Sequence, residues 1–115
     1  MTAAAVVVLC TAPADGSADK PGAAALARRL VEERLAACVN VLPGVQSFFH
    51  WEGKVDVATE SLLVIKTTPA LLPALHQRLH ALHPYQVPEV LELAVDGGSP
   101  QYLRWLADAV APARQ

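Results

Sequence analysis

The 115-residue sequence is 53% hydrophobic and 17% charged, enough apolar side chain to bury one core and too little polarity for a disordered chain. A formal charge of -2, no basic cluster and 5% aromatic residues leave neither an electrostatic footprint nor a stacking platform for nucleic acid. The longest apolar run, Ala3 to Cys10, is too short to cross a bilayer and has no basic leader, so one soluble, cytoplasmic domain over residues 1–115 is expected.

Val6-Val7-Val8-Leu9-Cys10-Thr11 is apolar and β-branched without alternation, which predicts a central strand covered on more than one side. Ala12 to Gly22, rich in Pro, Gly, Ala and Asp, predicts a loop. Beyond it Ala23, Leu26, Ala27, Leu30, Val31 and Leu35 recur at helical spacing opposite Arg28, Arg29, Glu32 and Glu33, a helix ending near Leu35. Cys38 to Leu42 reads as a strand, Pro43-Gly44 interrupts it, and Val45 to Trp51 continues it with a bend or bulge. Trp51-Glu52-Gly53-Lys54 reads as a hairpin tip, and Val55 to Thr59 returns toward the strongest strand, Ser61 to Thr67. Thr68 is placed as an N-cap with Pro69 after it, while Leu72, Leu75, Leu79 and Leu82 form a helical ridge. Pro73 cannot sit deep in that helix, so regular structure is expected from about Leu72. A last strand, Val90 to Val95, is followed by the turn Asp96 to Pro100 and a final helix expected to turn Tyr102, Leu103, Leu106, Ala109 and Val110 inward.

Strand, helix, strand, strand, helix, strand, with a helix appended, is the order of two split βαβ halves: an α+β, ferredoxin-like fold with an antiparallel sheet and helices on one face. In that topology the end of the first strand at Cys10, the tip near Trp51 and the entry to the last strand all lie at one end, with Cys38 and Lys66 at the other. The uncovered sheet face and the long hairpin, carrying Phe48 and Phe49, predict self-association.

Between the second helix and the last strand stands His83-Pro84-Tyr85-Gln86-Val87-Pro88-Glu89. Pro84 and Pro88 fix two φ angles and push His83 and Val87 toward extended backbone, so a stiff corner presents an imidazole, a phenol and a carboxylate together. Read blandly, this is a helix stop whose polar groups face water. His76, His80 and His83, spaced four and three apart, are either a metal clip or a solvated flank of the leucine ridge. Cys10 and Cys38 both lie in strand-like runs, where a thiol is commonly a small buried apolar group.

Several blocks together resemble the CutA family of divalent-cation tolerance proteins: Val8-Leu9-Cys10-Thr11-Ala12-Pro13, Leu30 to Asn40, Pro43-Gly44-Val45, Trp51-Glu52-Gly53-Lys54 and His83 to Glu89. The resemblance runs from about Val6 to Leu106. It implies a homotrimer joined through the long hairpin, tolerance of copper and other divalent cations, and kinship with the trimeric PII signalling proteins. By position it implies Cys10 and a histidine pair before Pro-Tyr as metal ligands. Only His83 of that pair is present; Leu82 stands where the first histidine would be. Thiolate and imidazole suit copper or zinc, and a third ligand is left open among Glu89, Asp15 and a group of a neighbouring subunit. A second reading, a PII-like signalling or small-ligand module, would use a cleft between subunits near Trp51, Tyr85 and Glu89. A third is a structural trimer that assists other proteins. No phosphate loop, dinucleotide fingerprint or oxyanion-forming turn accompanies the cysteine, so catalysis is not expected.

Overall fold

The β-branched opening run forms β1, Ala5–Ala12, in a computed structural model that describes residues 4–112. Ala3, the first residue of that run, therefore lies outside the described part. Then follow α1 (Ala23–Glu32), β2 (Cys38–Trp51), β3 (Lys54–Thr67), a 3-10 turn at Pro69–Leu71, α2 (Leu72–Leu82), β4 (Leu91–Val95) and α3 (Pro100–Val110). The strands form one antiparallel sheet in the order β2-β3-β1-β4, with the last strand beside the first as the split βαβ reading predicts. The 3-10 turn before Leu72 is the loose first turn that Pro73 requires.

Alternation along the strands separates two faces. Val8, Cys10 and Ala12 of β1 and Leu63 and Ile65 of β3 meet Leu26 and Leu30 of α1 and Leu75, Leu79 and Leu82 of α2 in the main core. Leu26, Leu30, Leu63, Ile65, Leu75 and Leu79 are fully buried, each worth about 1.5–3 kcal/mol of transfer free energy. Helix α3 closes a second, smaller cluster, where Leu106 and Val110 pack with Ala5 and Ala37. Tyr102, expected inward, is exposed instead and lies 5.4 Å from Trp105, ring centre to ring centre. The apolar stripe of α3 is narrower than its sequence suggests, because a small cluster needs only Leu106, Val110 and the flanking Leu103 and Ala109.

Helix α1 stops at Glu32, short of Leu35, although no glycine marks the end. Arg34 takes the left-handed conformation at φ 59°. The Leu35 and Arg34 amides then donate to the Leu30 and Val31 carbonyls at 2.9 and 3.0 Å, the double closure of a Schellman ending. The Arg34 guanidinium also donates to the carbonyls of Ala109 and Ala111, tying this turn to the end of α3.

The β2–β3 hairpin determines the outline of the molecule, 46 × 31 × 23 Å. Its register slips between Leu42 and Val45, where Gly44 adopts φ 72°, so the strand stays continuous but bends. The tip turns through Glu52 and Gly53 at φ 50° and 77°, the two positive angles of a type I′ hairpin turn. Beyond Glu60 the ribbon has only its own two strands and leaves Phe48, Trp51, Val55 and Val57 in the open, Phe48 at 69%.

Candidate functional site

The site begins where a ladder ends. β1 pairs with β4 only from Ala5↔Val95 to Leu9↔Leu91, but with β3 as far as Ala12↔Ser61. Cys10 and Thr11 therefore have a strand on one side and the loop before β4 on the other. Continuing the register would put Val90 level with Cys10 and Glu89 level with Thr11.

A side chain completes the missing ladder bond. His83 ends α2 with its amide on the Leu79 carbonyl at 2.8 Å, and the following proline holds it extended at φ -73°, ψ 136°. Its Nε2–H donates to the Thr11 carbonyl at 2.7 Å, and its Nδ1 accepts the Tyr85 amide at 3.1 Å. That pair of bonds fixes the neutral Nε2–H tautomer. The imidazole is 2% exposed and packs against the Tyr85 ring at 4.7 Å. Burial pushes its pKa down, opposed by the Thr11 bond and by the charge of Glu60.

Tyr85 carries the network to the hairpin. Its hydroxyl donates to Glu60 Oε1 at 2.9 Å, and Ser47 Oγ donates to Glu60 Oε2 at 2.5 Å. Glu60, 7% exposed, sits on β3 opposite Val45, just past the bulge. Burial raises the Tyr85 pKa to about 12, reinforced by the bond to Glu60 and its charge. Cys10, 0% exposed, has its thiol pushed up to about 12, first by burial and then by the charges of Glu89 and Glu60. Among the described residues no buried side-chain nitrogen or oxygen lacks a partner. At neutral pH the corner thus holds a protonated thiol, a neutral imidazole and a protonated phenol beside a carboxylate.

Residues 6–109 match the family model described as "CutA1 divalent ion tolerance protein". This chain belongs to the CutA1 family. The divalent-cation tolerance protein CutA of Thermus thermophilus is 46% identical over 102 residues, covering 89% of this chain and 94% of that protein. Its solved structure overlays 91% of this chain and 97% of its own with a TM-score of 0.82. The chloroplastic protein CutA of Arabidopsis thaliana is 44% identical over 94% of this chain, and a second plant relative, from rice, is equally similar. The chain spans only 57% and 58% of the length of those two plant proteins. A structure from Nostoc described as the PII-like protein CutA, 30% identical, covers 92% of this chain and 97% of its own with a TM-score of 0.83.

Against what the family implies, the CutA1 corner of this chain is a poor seat for a resident metal. A cysteine ligates as thiolate and an imidazole through a free lone pair. Here the thiol is held protonated, one His83 nitrogen carries the donated proton, and the other is taken by the Tyr85 amide. Among the described residues no three His, Cys, Asp or Glu side chains gather around one point. Leu82, in the place of the family's first histidine, is 5% exposed in the main core.

Of the residues singled out in the sequence, Cys10, His83 and Tyr85 come together, and Glu89 is close enough for its charge to act on Cys10. Trp51 does not join them within the chain. It pairs with Lys54, six residues up β3 from Glu60, about 20 Å away at strand rise. Of the helix histidines, His76 Nε2 bonds Glu92 at 2.5 Å and His80 Nδ1 donates to the His76 carbonyl at 2.9 Å, so the flank is tied to β4 and to its own turn. Cys38, opposite Lys66, lies at the far end of the sheet as expected, and both cysteines are free. Sequence reading missed Glu60 and Ser47; the available signal was one carboxylate inside a long strand run.

Proposed function

We propose that this chain acts in divalent-cation tolerance as a homotrimer that takes copper or another divalent cation as passing cargo at the Cys10–His83 corner. The observation that supports it most is the convergence of a strand thiol and a pre-proline imidazole in a chain of the divalent ion tolerance family. Capture there requires Cys10 to release its proton and His83 to give up one bond, which favours brief occupancy by a soft ion over permanent residence. Trimer formation is supported by the apolar hairpin and by the free edges of β2 and β4. Two unpaired cysteines favour a reducing setting such as the cytoplasm, and no helix of the described residues is long and apolar enough to cross a membrane. The reading includes no catalytic step, because a thiol held near 12 is a poor nucleophile at neutral pH.

The test is a copper titration of the reduced full chain beside Cys10→Ala and His83→Ala, with molar mass measured in parallel. Tighter binding by the parent than by either variant supports the site, and equal affinity in all three removes it. Three copies of 12.2 kDa give a mass of about 37 kDa.

The Nostoc structure described as a PII-like protein supports one second reading, a signalling trimer whose intersubunit cleft near Trp51, Tyr85 and Glu89 holds a small polar ligand. A thermal-shift screen run in chelator separates the two. A metabolite that raises the melting temperature without metal favours this reading.

A further inference from the structure

Cys10, 0% exposed in the main core, stands at the end of β1 where pairing with β4 has stopped, level with chain that has no regular structure. Between α2 and β4, residues 84–90 carry neither helix nor strand, and Pro84 through Val87 are exposed. The segment is therefore held against the sheet by its ends and by what its side chains grip. His83 anchors the start through Thr11, and Val90 packs on the main core where β4 is about to begin. Between them Tyr85 donates to Glu60, a residue of another strand 25 positions away. Glu60 has a second partner, Ser47 of β2, so its carboxylate is clamped from the hairpin side before Tyr85 reaches it. A bond to a buried, pre-positioned charge is among the stronger side-chain bonds available, because opening it leaves the charge with one donor fewer in a site water reaches poorly.

We infer that Glu60 is a positioning residue. Through the Tyr85 hydroxyl it straps residues 84–90 against the open edge of β1, and so sets how often a soft metal ion or any thiol reagent meets Cys10. The closed strap protects the thiol, and its opening exposes Cys10 without unfolding the sheet. Ser47 links the same carboxylate to the hairpin, so a displacement of the hairpin is felt at the strap. The inference deepens the proposed function, since it concerns access to the same thiol, but its test uses no metal and stands or falls separately.

The experiment is the labelling kinetics of the reduced, metal-free full chain with an aromatic disulfide, which each accessible thiolate attacks to form a mixed disulfide and release one aryl thiolate. Cys38, half-buried at the far end, is the internal reference. The parent chain is expected to show one fast thiol and one slow thiol. Tyr85→Phe removes only the hydroxyl and leaves the Glu60 charge in place, so it changes access more than acidity. It should speed the slow phase by about ten- to a hundredfold and leave the Cys38 phase unchanged. In a Glu60→Gln background the same Tyr85→Phe change should add less than threefold, because both act on one latch. An unchanged slow phase in Tyr85→Phe overturns the inference. So does equal acceleration of both thiols, which marks general loosening, or full additivity of the two changes. Copper affinity measured on the same variants tests the metal reading alone: loss of copper binding by the parent leaves the strap result intact.

Discussion

Raising the pH tests whether the Cys10 thiol is sealed. A group held protonated in the fold and free to ionise when unfolded contributes stability that is fully present below the unfolded pKa and is lost as pH rises toward the folded one. For Cys10 that window runs from 9.0 to about 12. At 1.36 kcal/mol per pH unit the group supplies up to about 4 kcal/mol across the window, and more than half of it is gone by pH 11. Cys10→Ala carries no such dependence and costs about 1 kcal/mol at pH 7 through the volume it deletes from the core. Denaturant unfolding at fixed protein concentration, with reductant and chelator, should therefore give curves that cross. The parent is more stable at pH 7, the two are equal between pH 9 and 10, and the variant is more stable at pH 11. The two proteins differ only at residue 10, so the difference between the curves reports Cys10 together with its coupling to Tyr85. Parallel curves from pH 8 to 11 would refute the sealed-thiol reasoning.

Other expectations follow from particular residues. His83 is the acid counterpart of Cys10: its folded pKa lies below 6.5, so the stability it contributes is present above 6.5 and is lost as pH falls. His83→Gln should flatten that acid limb in unfolding measured from pH 7 to 5, and an equally steep limb in the variant refutes the assignment. Arg34 holds a left-handed angle at a cost of about 1 kcal/mol and also donates to the end of α3. Arg34→Gly should therefore be more stable than Arg34→Ala by about 1 kcal/mol in denaturant unfolding, since both lose the bonds and only glycine loses the strain. Glu52→Asn, at φ 50° in the tip turn, should raise the melting temperature by a few degrees at most, as asparagine tolerates that angle better. Val57→Lys, on the exposed ribbon, should shift the measured mass of the proposed trimer toward monomer, and an unchanged mass would remove the ribbon from the association surface.

The secondary structure was legible because its signals are local. The β-branched run of β1, the leucine ridge of α2 and the Pro43-Gly44 break each act through neighbours a few residues away, and each appears where expected. The end of α1 was less legible for the same reason. Arg34 adopts an angle usually left to glycine, and what accompanies it is a pair of bonds to α3, a partner 75 positions down the chain. Tyr102 was placed inward by period alone, yet the area α3 has to cover is set by the second cluster, which periodicity does not report.

The site divides along the same line. A proline fixed the extended backbone at His83, and the strand order brought His83 beside the end of β1, both readable from residue types. What its nitrogens do depends on the residue at which β1 and β4 stop pairing. Had the ladder run two residues further, a strand amide would have met the Thr11 carbonyl and left Nε2 free. Because it stops at Leu9↔Leu91, the imidazole stands in for the strand. Topology likewise gave the direction of Trp51 but not the length of the ribbon, and direction alone cannot separate a neighbour from a residue about 20 Å away. Glu60 is the sharpest case. In a one-dimensional strand pattern it is a charge on a half-exposed hairpin; Ser47 reaches one oxygen from β2 beyond the bulge after Leu42, and Tyr85 reaches the other from the loop before β4. The residue that best explains the corner was thus the one whose role depended on three separate segments meeting.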